Sequence, residues 1–196
     1  MMSQLPLVPG PDGSPVPDGI HLIRMANEPK IAHLNPEAVR RVNKGNAIPS
    51  FFDLSSEDKK QPVPRLSVRV EALTSVGQAW VLVGSSKVRR WVVRLAANKI
   101  RQIFAPAIDR FPPTSVLNIH WERAMTVTDV GDHIPETRPG WEGHAGIAHL
   151  DMGNKTQCDS LRWQLAERAD VQILTPEQLN AFAAPTTPSS QSVSDL

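Results

Sequence analysis

Alternation of apolar and polar residues is cleanest over Arg65–Glu71, where Leu66, Val68 and Val70 alternate with Ser67, Arg69 and Glu71. A period of two puts the aliphatic side chains on one face of a strand and the polar ones on the other. Val116–Glu122 repeats the pattern, with Leu117, Ile119 and Trp121 set against Val116, Asn118, His120 and Glu122. Shorter apolar runs predict strands at Ile20–Met25, His144–Leu150 and Val171–Leu174. Gly146, inside the second of these, permits close approach of another group to the backbone.

Helices are announced by their caps. Asn35-Pro36-Glu37 offers an N-cap, a proline at the first helical position and an acid in the first turn, and Gly45 is the stop, so Pro36–Lys44 is predicted helical. Asp159–Ala169 places Leu161 and Leu165 on one face with Cys158 and Ala169, with Asp159 or Ser160 as cap. Thr175-Pro176-Glu177-Gln178 satisfies both the capping-box spacing and the proline rule, which predicts a last helix over Pro176–Ala183. In Thr74–Gly84, Ser75 and Gln78 have capping-box spacing and Gly84 is a stop, which favours a helix. The competing arrangement is a hairpin of Ala79–Val83 and Val88–Ala96 around a turn at Gly84–Lys87.

The stretch Lys87–Ile103 carries Lys87, Arg89, Arg90, Arg94, Lys99 and Arg101 among apolar residues, and no acid falls between Glu71 and Asp109. As a strand, Val88–Ala96 turns Trp91, Val93 and Leu95 toward a core and Arg90, Val92 and Arg94 outward. As a helix it would bury Val92 beside Trp91. Its branched residues favour the strand, with a short helix from about Asn98 to Ile103 after it.

The remaining segments read as connections. Residues 1–19 hold five prolines and three glycines and form a flexible lead. Ala47–Pro64 reads as a loop anchored by Phe51, Phe52 and Leu54, and Ala105–Thr114 is broken by prolines. Asp129–Gly143 reads as a long acidic loop carrying Asp129, Asp132, Glu136 and Glu142. From Pro185 on, the composition is that of a disordered tail. The expected fold is α+β: a single compact domain over residues 20–184, with a short mixed or antiparallel sheet, several short helices and disordered termini.

Composition narrows the function classes. With 21 Lys and Arg against 20 Asp and Glu, attraction to nucleic acid must come from a local patch rather than from net charge. The single cysteine, Cys158, cannot form an intramolecular disulfide, and a reducing, cytoplasmic setting is the expectation. No apolar run approaches the ~18–20 residues of a membrane-spanning helix, so no membrane partner is expected. Tyrosine is absent, which removes phenol chemistry.

Chemistry-bearing residues are few. No zinc-type pairing, phosphate loop, nucleophile elbow or dinucleotide fingerprint occurs, so no metal and no cofactor is expected. Glu142-Gly143-His144-Ala145-Gly146 sets a carboxylate and an imidazole beside two glycines at the mouth of a strand. With Arg65 or Arg24 nearby, it would form a small anionic-ligand or acid–base site. His120 and Glu122 share a strand face and extend the catalytic candidates to His144, Glu142 and His120. The binding candidates are Arg89, Arg90, Arg94, Lys99 and Arg101. Together these features predict a non-catalytic binding or regulatory module acting through contacts with a protein partner. The alternatives are a nucleic-acid-binding domain using the basic stretch and a small enzyme with a His/carboxylate site within residues 120–149. An acidic loop over 129–142 could mask the basic face.

Overall fold

The computed structural model describes residues 7–60, 64–85, 89–108, 113, 117–122, 125–127, 133–135, 141–151 and 154–183. Its centre is a six-stranded sheet. In chain order the elements are β1 (His21–Ala26), α1 (Pro36–Asn43), α2 (Ser56–Lys60), β2 (Arg65–Val70), α3 (Val76–Leu82), β3 (Trp91–Ala96), α4 (Ala97–Ile100), β4 (Ile119–Trp121), β5 (Met125–Val127), β6 (His133–Pro135), β7 (His144–Ala148), α5 (Lys155–Arg168), β8 (Asp170–Ile173) and α6 (Pro176–Ala183). The strands lie in the order β4-β7-β2-β1-β3-β8, every neighbouring pair antiparallel, while β5 and β6 pair separately. The expected α+β class is observed, with the sheet wholly antiparallel among the described strands.

Both faces of this sheet are apolar over part of their width. On the first face Leu22, Leu66, Val68, Val70, Trp91, Val93, Leu95, Ile119, Trp121 and Ile147 join Phe51, Phe52, Leu161 and Leu165 in the larger core. On the second face Ile23, Met25 and Val92 pack under Ala79 and Trp80 of α3 and under Leu174 and Leu179 next to and on α6. Val92 is therefore fully buried rather than outward-facing. Three consecutive apolar residues, Trp91-Val92-Val93, mark a strand buried on both faces.

Caps fix where the helices begin. The Ser75 hydroxyl accepts from the Gln78 N–H while the Gln78 side chain accepts from the Ser75 N–H, so residues 76–82 are helical and the hairpin alternative is excluded. Helix α5 starts a turn earlier than the expected Asp159, because Asn154 and Gln157 make the same reciprocal cap and the first turn buries Gln157 and Cys158. The described part of Ala47–Pro64, residues 47–60 and 64, is likewise more ordered than a loop. It contains a 3-10 turn at Pro49–Phe52 and then α2, capped by mutual bonds between Ser55 and Asp58.

Part of the lead segment closes one sheet edge. Gly13 and Val16 donate N–H groups to Trp121 and Ile119 carbonyls, Trp121 donates to Ser14, and Pro15 bridges His120. Val16 is buried, and Pro15 occupies an edge position where a missing N–H is tolerated. The expected tail from Pro185, Lys87, and the loop acids Asp129, Asp132 and Glu136 lie outside the described residues.

Candidate functional site

Strand alternation that buries Leu66, Val68 and Val70 sends Arg65, Ser67 and Arg69 to the second face. Register then decides their neighbours. Ser67 lies opposite Gly146 and Arg69 opposite His144; across β7, Gly146 lies opposite His120, and the Glu122 N–H bonds the His144 carbonyl. Glu122, His144 and Arg69 thus form one cross-strand row, the arrangement in which side chains on a sheet interact most directly.

The contacts within the row are polar throughout. Glu122 Oε2 lies 3.4 Å from His144 Nε2, and Glu122 Oε1 lies 3.4 Å from Arg65 Nη1. Burial holds the Glu122 carboxyl above its usual value, opposed by the Arg65 charge and reinforced by Asp58 and Asp12. Burial and the Arg69 charge pull the His144 imidazole down to about 3, with Asp58 opposing, so it is neutral at ordinary pH.

Asp58 links this row to α2. One carboxylate oxygen accepts from the Ser67 hydroxyl at 2.7 Å and the other from the Ser55 N–H at 2.8 Å. Burial alone would raise its carboxyl, but the bonds from Ser55 and Ser67 and the Arg24 charge outweigh it and leave it below the usual value. Arg24 stands where the β1–β2 ladder ends, after the pairs Leu22–Val70 and Ile23–Arg69. Its guanidinium donates to the carbonyls of Phe51 at 2.9 Å, Ser67 at 2.7 Å and Asp53 at 3.2 Å. Burial lowers its pKa from the ordinary value, with Asp58 opposing and Arg89 adding to the shift.

Between α2 and α3 lies a cavity of about 400 Å³. Ile23, Met25, Ala79 and Val83 give it an apolar side, and Ser55, Ser56 and Ser67 give it hydroxyls. Arg24, Arg69 and Arg89 meet there with Asp58, so among the described lining residues three guanidinium groups face one carboxylate.

The candidates from sequence divide accordingly. His144 and Arg65 come together, with Glu122 rather than Glu142 as the carboxylate at the imidazole; Glu142 is exposed in a 3-10 turn at Trp141–Gly143. His120 sits on the Glu122 face with Nδ1 2.8 Å from the Gly13 carbonyl oxygen. The basic residues are distributed around the sheet. Arg89 lines the cavity and bonds Asn27 and the Val83 carbonyl, while Arg90 pairs with Glu28. Arg94 pairs with Glu71 and bonds Gln172, and Arg101 pairs with Asp18. Lys99 lines a depression of about 210 Å³ with Arg94, Arg168, His21, Glu71 and Asp170. Four of the five thus have intramolecular partners, three of them carboxylates outside the 129–142 segment.

Comparison of the chain with protein families, with curated proteins and with solved structures gives no match. Among the described residues, no helix is long and apolar enough to cross a membrane, and no group of three or more His, Cys, Asp and Glu could hold a metal ion. Asp58 and Arg69 are the site residues that sequence reasoning passed over. Ser55-Ser56-Glu57-Asp58 has capping-box spacing that would have revealed Asp58. Nothing in the alternating pattern of β2 distinguishes Arg69 from a solvated strand residue.

Proposed function

We propose that this protein is a non-catalytic binding module that recognises an anionic group of its partner through the cavity between α2 and α3. The observation that carries this reading is the convergence of Arg24, Arg69 and Arg89 on a cavity with Asp58 as its one described carboxylate. Arg24 and Arg89 use donors on backbone carbonyls, which hold the guanidiniums in place without neutralising them. A pre-positioned excess of positive charge beside low-dielectric walls favours a desolvated anion. A protein partner offering a carboxylate suits it, since serine hydroxyls and arginine forks donate to that group directly.

The test is a thermal-melt titration at constant ionic strength, replacing chloride by acetate, sulfate or phosphate. A saturable rise in the melting temperature for at least one anion, lost in Arg89→Gln, is the expected result. Rises that neither saturate nor depend on Arg89 would reject the reading.

A second reading rests on the Glu122–His144 contact. The Glu122 carboxyl, held above its usual value and 3.4 Å from the neutral His144 imidazole, can hold and pass a proton, which is the minimum an acid–base enzyme requires. Turnover lost in Glu122→Gln, with folding intact, would favour it over pure binding.

A further inference from the structure

We infer that β8 is an interaction edge, and that its occupant is β8 of a second copy of this chain, paired antiparallel about Gln172. The sheet has two outer strands, β4 and β8, and they are finished differently. The lead segment bonds along β4, where Pro15 bridges His120. Strand β8 pairs with β3, and among the described residues nothing bonds its outer side. It carries no proline and no lysine, two of the devices that keep an open edge from taking up another strand.

The β3–β8 ladder fixes which backbone groups face outward. The Leu174 N–H donates to the Arg90 carbonyl at 2.8 Å, which makes Leu174–Arg90 a hydrogen-bonded pair. Alternation makes Gln172–Val92 and Asp170–Arg94 the next such pairs. The N–H and C=O groups of Val171 and Ile173 therefore point away from β3. Their side chains lie opposite Val93 and Trp91, on the face of the larger core. Val171 packs partly against that core, whereas Ile173 is 40% exposed. Gln172 lies on the other face, opposite Val92, and its Oε1 accepts from Arg94 Nη1 at 3.0 Å.

In either direction the open edge runs apolar, glutamine, apolar, a pattern that a twofold axis through Gln172 maps onto itself. Antiparallel pairing about that axis sets Val171 against Ile173 of the second copy, and Ile173 against its Val171. These residues carry the outward N–H and C=O groups, so each pair exchanges both N–H···O bonds. The exposed Ile173 side chain is covered, and the two Gln172 side chains meet at the axis. Charge selects the same arrangement. The exposed Asp170 is held about 13 Å along the strand from its counterpart, whereas parallel pairing would stack the two carboxylates. An axis at Val171 brings the acids closer and sets Ile173 against Ala169. An axis at Ile173 needs the Thr175 N–H, which already donates to Gln178 Oε1.

Sedimentation velocity on the whole chain, from micromolar to millimolar concentration, tests the pairing. The wild type should pass from monomer to dimer with no larger species, because the twofold contact uses up the edge. Ile173→Lys, at an exposed position, should raise the dimer dissociation constant roughly tenfold or more with the melting temperature kept. Mild oxidation of Gln172→Cys should give a disulfide-linked dimer, since facing residues at a non-hydrogen-bonded antiparallel position have the Cα separation a disulfide needs. Asp170→Cys, about 13 Å from its counterpart, should not cross-link. Wild type controls for the buried Cys158. A chain monomeric at millimolar concentration, a dimer indifferent to Ile173→Lys, or cross-linking through Asp170→Cys in preference to Gln172→Cys would each overturn the inference.

Discussion

The Glu122 carboxylate occupies the space above Gly146 that a side chain there would need. Because β7 has no Cβ at this point, Glu122 can lean across from β4 and stand between Arg65 and His144. Gly146→Ala would force the carboxylate out while leaving Arg65 and His144 partly buried beside the gap. The expected loss is about 1–3 kcal/mol, typical of disturbing a packed polar contact. Urea denaturation measures it. A change below about 0.5 kcal/mol would show that Glu122 relaxes without cost.

His144 gives the fold an acid-side weakness. Its folded pKa is depressed from 6.5 to about 3 by burial and the Arg69 charge, with Asp58 opposing and Glu122 in contact. Between those values the unfolded chain binds a proton that the native state refuses, so stability present above pH 6.5 is lost as the pH falls. At pH 5 the loss from this one group is about 2 kcal/mol. Glu122, with its raised folded pKa, works in the opposite sense, gaining a proton in the native state first as pH falls toward the usual glutamate value of 4.5. Comparing wild type with His144→Gln at pH 7.5 and pH 5 isolates the histidine. The variant should lose about 2 kcal/mol less on acidification; equal losses would mean that His144 protonates in the folded state.

How far the sequence disclosed this arrangement depended on the range of the signal. Alternation and caps act within about one turn or one strand, and β2, α1, α3 and α6 were legible from them. The burial of Leu117, Ile119 and Trp121 followed from the same period. Whether a strand is covered on one face or two is a tertiary fact, and at Val92 it overrode the outward assignment. The site shows the same division. His144 and Arg65 could be named as possible neighbours, but register places Glu122 opposite His144 on β7, and no local pattern encodes register between strands so far apart in the chain. Charge clustering along the chain does not reveal intramolecular partners either. Arg90, Arg94 and Arg101 are adjacent in sequence terms yet meet Glu28, Glu71 and Asp18, acids contributed by segments remote in the chain.

Val92→Thr tests the two-faced core. On a solvated face the exchange would alter stability by less than about 0.5 kcal/mol. Under Trp80 and Leu179 the hydroxyl enters an apolar cluster, and the expected cost is about 1–3 kcal/mol. Urea denaturation at pH 7.5 distinguishes the two outcomes, and the small value would remove the second core.

Arg24 joins the sheet to the segment that carries α2, and its substitution separates charge from geometry. The three carbonyls it serves, on Phe51, Ser67 and Asp53, come from two segments that no ladder bonds connect at this point. A planar fork with five donors can reach all three at once, whereas an ammonium on a single stem cannot. Arg24→Lys keeps the positive charge that lowers the Asp58 pKa but leaves at least one partly buried carbonyl without its donor. The expected loss is about 1.5–3 kcal/mol by urea denaturation. Arg24→Met should cost more, because Asp58 then loses its counter-charge as well. Equal losses for the two variants would assign the stabilisation to the carbonyl bonds alone, and a lysine variant as stable as wild type would assign it to charge.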